Sequence, residues 1–151
     1  MTPAELKVEI ETGPLASELA PFIASGNDIA IANILNEHRG DRMLHSRVIS
    51  ARGVLSDYPG GPAAGAAVLD KLEAASATVS AVKWVMSFLK SDGIDIGNVA
   101  TQGMLDQLAA GGLITVTEAG ELKSMGYAPA SRAMILGVTI THLDVAKALR
   151  G

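Results

Sequence analysis

The sequence predicts an all-α fold, a multi-helix orthogonal bundle of short helices with an irregular N-terminal third and at most one short strand near residues 138–140. Three observations predict it. Apolar residues recur at helical spacing, most clearly at Val82, Val85, Met86 and Leu89, which fall at i, i+3, i+4 and i+7 and so share one helix face. The periodic segments open on side chains suited to capping and close on glycine. The apolar content is 48% with only 3% aromatic, so most of it lies in small and aliphatic side chains that let helices approach closely.

The elements follow in order. Thr2-Pro3-Ala4-Glu5 combines a capping box with proline at the first helical position, where its missing N–H is no loss. The helix it opens carries Leu6, Val8 and Ile10 and ends before Gly13-Pro14. A second short helix covers Leu15 to Ala24, kinked or divided by Pro21. Ser25-Gly26-Asn27-Asp28 reads as a turn and cap for a third helix through Ile31, Ile34 and Leu35. Glu37 to Arg47 is dense in charge and reads as a solvated loop. Ser50 caps a short helix through Val54 and Leu55, and Asp57-Tyr58-Pro59-Gly60-Gly61-Pro62 breaks the chain.

Pro62 opens a helix with Leu69 and Leu72 on one face, and the Val82–Leu89 helix follows. Gly93 suits a left-handed C-terminal position after it. Asn98 caps a helix carrying Leu105, Leu108 and Ala109, stopped by Gly111-Gly112. Thr115-Val116-Thr117-Glu118 is a second capping box, opening a helix with Leu122 and Met125. Pro129 to Leu136 reads as a short helix stopped by Gly137, Val138-Thr139-Ile140 as extended, and Thr141 as the cap of a last helix through Val145 and Ala148. The organisation expected is one domain over 1–151, with an irregular segment 1–58 and a regular helical part 62–151.

Composition removes whole classes of function. There are no cysteines, which excludes disulfides and thiolate metal sites. The first residues lack a basic region followed by an apolar run, so no signal peptide is expected. No stretch reaches the ~18 apolar residues of a membrane span. A net charge of −4 gives no general footprint for nucleic acid, which demands clustered Lys and Arg.

Candidate chemistry fares no better. His38, His45 and His142 have no metal-ligand spacing, so no metal and no cofactor are expected. No GxSxG elbow occurs, and Ser131-Arg132 has no nearby histidine. The carboxylate pairs Asp92/Asp95 and Glu118/Glu121 read as helix-end residues. Gly60-Gly61 and Gly93–Gly97 lack the lysine and the strand-to-helix context of a phosphate loop. No catalytic residue is expected, and the chain reads as a non-enzyme. A helix–turn–helix over residues 98–125, around Gly111-Gly112, is the alternative. Its second helix offers Glu118, Glu121 and a single Lys123, a poor set for a DNA groove.

Three residues stand out as candidate interface residues. Trp84 and Phe88 lie four apart on a face displaced from the Val82–Leu89 stripe, so helix 80–90 is apolar around most of its circumference. Such a helix lies centrally in a fold or at a subunit interface, and the central placement is the preferred expectation. Arg132, on a short helix, is placed for a bidentate contact across an interface or to a helix C-terminus.

Several short pieces carry a family likeness: Glu5-Leu6-Lys7 with Gly13-Pro14-Leu15, Ala24-Ser25-Gly26-Asn27-Asp28 leading to Ile31–Asn36, Met104-Leu105-Asp106, Pro129–Ala133 with Leu136-Gly137, and Val145–Arg150. In these the chain resembles a group of small proteins encoded among the virion genes of tailed bacteriophages. Where that group has Gly-Tyr after Pro-Leu, this chain has Glu18-Leu19. The resemblance implies a virion structural or assembly component of the head–tail connection, tail or capsid, made in the bacterial host cytoplasm. It implies as partners other virion proteins and copies of itself, with no nucleic acid, membrane or small-molecule substrate.

Overall fold

The computed structural model describes all residues 1–151. In chain order it contains α1 (Pro3–Thr12), α2 (Ala16–Ala24), α3 (Asp28–Asn36), β1 (His38–Leu44), β2 (Val48–Ile49), α4 (Ala51–Asp57), α5 (Pro62–Ser76), α6 (Ser80–Lys90), β3 (Ile94–Asp95), α7 (Val99–Ala110), α8 (Val116–Ser124), β4 (Tyr127–Ser131), α9 (Arg132–Ile135) and α10 (His142–Arg150). The expectation of an all-α bundle is thereby corrected. The chain is 63% helical but carries two small antiparallel two-stranded sheets, a mixed and mostly helical fold. No helix is long and apolar enough to cross a membrane.

The helices start where their side chains dictate. Thr2/Glu5, Thr115/Glu118 and Thr141/Asp144 form complete capping boxes. Asn27, Ser50 and Asn98 each accept from a backbone N–H of the helix they open. Each such cap satisfies a donor that would otherwise be orphaned, a stabilisation of about 1 kcal/mol. Gly93 follows α6 with φ +88°, the left-handed conformation its sequence context predicts. Pro21 lies inside α2 without dividing it.

The strands are where expectation and structure part. Residues 38–44, read as loop, form β1, which pairs with β4. Their charged side chains stay in solvent, so β1 is held by its backbone and not by apolar alternation. Residues 129–131, read as the start of a helix, belong to β4. The helix begins only at Arg132, because Ser131 supplies the cap by accepting from the Met134 N–H at 3.2 Å. Residues 138–140 are not a strand. Val138 N–H donates to the Ala133 carbonyl at 3.0 Å, and the Ile140 carbonyl accepts from Asn36 Nδ2 at 2.7 Å, so these two groups bond outside any strand ladder.

Chain contacts divide into two compact units, residues 1–43 with 129–151, and residues 44–128. The break at residues 57–62 does not separate them; α4 and α5, on either side of it, pack together. In the first unit α1, α2, α3, α9 and α10 bury a core that includes Ile10, Leu19, Ile31, Leu35 and Val145. In the second, α4 to α8 bury Val54, Val68, Val82, Leu105 and Leu122 among others, with Ile49 of β2 and Ile96 after β3. Each large aliphatic so buried contributes ~1.5–3 kcal/mol.

In the second unit β2 runs antiparallel to β3, with Val48 opposite Asp95 and Ile49 opposite Ile94. Beyond the pair, the chain passes so close to itself that side chains are excluded. A β-carbon on residue 97 would lie 1.7 Å from the His45 carbonyl oxygen, and one on residue 126 would lie 2.7 Å from the Ile96 carbonyl oxygen. Gly97→Ala therefore forces the β2–β3 region apart and should lower stability by roughly 3 kcal/mol. Gly103→Ala in α7, with nothing within 4 Å of the added carbon, should raise it by about 0.5–1 kcal/mol. Urea denaturation of the two variants checks both signs.

Candidate functional site

Polar groups of residues 45–47, 57, 97 and 102 gather near Asp95. Its carboxylate accepts from the Ser46 hydroxyl at 2.7 Å, the Arg47 N–H at 2.8 Å and the Gly97 N–H at 2.9 Å. These bonds, the Ser46 hydroxyl foremost, hold its pKa below the ordinary value, since they favour the charged form. Arg47 reaches the Met125 carbonyl at 3.0 Å and Asp57 at 2.6 Å. Gln102, buried on α7, donates to the Ile96 carbonyl at 2.6 Å and the Lys123 carbonyl at 3.2 Å.

His45, Ser46 and Asp95 are thus neighbours, a combination that invites comparison with a nucleophile–base pair. The histidine does not serve the serine, because Ser46 donates to Asp95, and the hydrogen bonds that lower the Asp95 pKa make that carboxylate a weaker base. His45 Nδ1 lies 3.1 Å from the Gly126 carbonyl, an acceptor that selects the tautomer protonated at Nδ1. The cluster ties three passes of chain together. Asp95 is consequently a bridge-holder in β3, not the helix-end residue its spacing from Asp92 implied.

The other singled-out polar residues are tied into the fold in the same way. His38 Nε2 sits 3.2 Å from Met134 Sδ, and His142 is exposed at the first position of α10. Glu118 caps α8 and accepts from Lys71 at 2.6 Å, and the Lys71 bond is the largest of the interactions that lower its pKa. Lys123, the lone cation of α8, contacts both oxygens of Asp106 at 2.8 and 2.9 Å. The solvent side of α8 therefore presents Val116, Thr117 and Gly120. No group of three or more His, Asp or Glu side chains is placed to hold a metal ion. A cavity of about 250 Å³ opens beside Thr2, Leu6, Ile140 and Asp144, but the Thr2 hydroxyl and the Asp144 carboxylate facing it are both engaged in capping boxes.

Arg132 makes a bidentate contact, but within its own chain and to a side chain, not across an interface or to a helix C-terminus. Nε and Nη2 donate to the two carboxylate oxygens of Glu9, on α1, at 2.6 and 3.0 Å. The side chains are 21% and 13% exposed, and the Glu9 contact raises the arginine pKa. The fork joins α9 to α1 across 123 positions of sequence.

Trp84 and Phe88 remain. The expectation of a central helix is corrected, because α6 buries only Val82, Met86 and Leu89 and leaves Trp84 63% and Phe88 49% exposed. The two rings lie on the side of the helix opposite the buried stripe, flanked by exposed Ser80, Ala81, Ser87 and Ser91. Adjacent exposed aromatics of this kind mark contact surfaces. What sequence reading missed entirely are Gln102, Gly97, Gly126 and Tyr58. Tyr58 is buried against Gly60 and Gly65, and burial, with the nearby Glu121 carboxylate, drives its hydroxyl pKa upward. No local pattern signals any of these, since each works through residues distant in sequence.

No protein-family model, curated protein or solved structure matches this chain.

Two outcomes follow from these bonds. Arg132→Ala strands the half-buried Glu9 carboxylate and should destabilise the chain by about 1–3 kcal/mol. Arg132→Lys should recover little, for lack of the planar fork, and a double-mutant cycle with Glu9→Ala should give a coupling of the same size. For Asp95, a folded-state pKa held down means that its contribution is present above the ordinary value of 3.8 and is lost as pH falls through the lower folded value. Asp95→Asn should therefore make stability fall less steeply with acid below about pH 4, measured by denaturation across pH.

Proposed function

We propose that this protein is a non-enzymatic structural or assembly component of a tailed-bacteriophage virion, placed at the head–tail connection, in the tail or on the capsid. It acts by packing against other virion proteins and against copies of itself. The observation that carries the reading is the exposed Trp84–Phe88 face of α6. Two large rings in water forgo ~1.5–3 kcal/mol each of burial, which a protein partner restores. Supporting it, the polar side chains that converge are consumed in capping, bridging and ion pairs within the chain. The likeness to small phage virion proteins, carried by Glu5–Leu15, Ala24–Asn36 and Pro129–Ala133, supplies the assembly.

Purified particles analysed by quantitative mass spectrometry should contain the chain in multiple copies. Trp84→Glu combined with Phe88→Glu should remove it from particles while shifting folding stability by less than about 0.5 kcal/mol, the usual range for exposed positions. Absence of the unaltered protein from particles sinks the reading.

A further inference from the structure

We draw no further inference here: the strongest candidate, the exposed Trp84–Phe88 face of α6, is an unpartnered apolar patch, and nothing in the structure shows what covers it.

Discussion

The second unit is organised by a place where there is no room for side chains. Residues 45–47, 95–97 and 125–126 pass one another at backbone distance, so that the His45 carbonyl stands where a side chain at residue 97 would begin. Such contact requires the polar backbone groups to be satisfied at once. Asp95 takes two N–H groups and a hydroxyl, Gln102 takes two carbonyls, and Arg47 takes a third. The junction sets where the apolar residues next to it must lie. Ile49 and Ile96 enter the core directly from it, and Gln102 and Lys123 connect it to the ends of α7 and α8. The core of this unit is therefore shaped by a polar junction at its edge, which sends Ile96 and Met125 into it.

That dependence explains which parts of the fold are legible in the sequence. A helix is declared locally: Thr2 and Glu5, Thr115 and Glu118, Thr141 and Asp144 are three residues apart, and each box appears in the structure. A strand here is declared by its partner. β1 pairs with β4 and β2 with β3, segments with several helices between them in sequence, and none of the four alternates apolar with polar residues in a way that marks a face. At residues 129–136 the local signals compete. Pro129 would suit a first helical turn, yet Ser131 is a better cap, and pairing with β1 takes the residues before it. The surplus of charge in Glu37–Arg47 is likewise no guide to loop structure, since Arg39 pairs with Glu18 and Glu37 while its backbone lies in a strand.

The candidate contact residues were legible as types and not as places. Periodicity separates the Val82–Leu89 stripe from the Trp84–Phe88 pair, but only the neighbours of α6 decide which side faces inward. α5 and the residues around β3 pack on the aliphatic stripe, whose interdigitating branched side chains fill a core at close density. Arg132 illustrates the opposite error of scope. Its fork was foreseeable from the residue type, while Glu9, 123 positions away, could not be found by spacing at all. Long-range pairs of this kind also include Arg150 with Asp28, so the first unit is fastened by residues from both ends of the chain.

The scarcity of aromatics gives the exposed pair its meaning. The chain has one Trp, two Tyr and two Phe, and its cores are built mainly from Leu, Ile and Val. Accommodating even Tyr58 takes two glycines, Gly60 and Gly65, each of which would crowd its side chain if it carried a β-carbon. A fold so short of aromatic side chains would gain by turning its Trp inward. Keeping Trp84 and Phe88 together in water forgoes several kcal/mol, a loss recovered only when another surface covers them. The proposed assembly role rests on that imbalance: the largest aromatic side chain of the protein stands in solvent on the outer face of α6, with Phe88 one turn along.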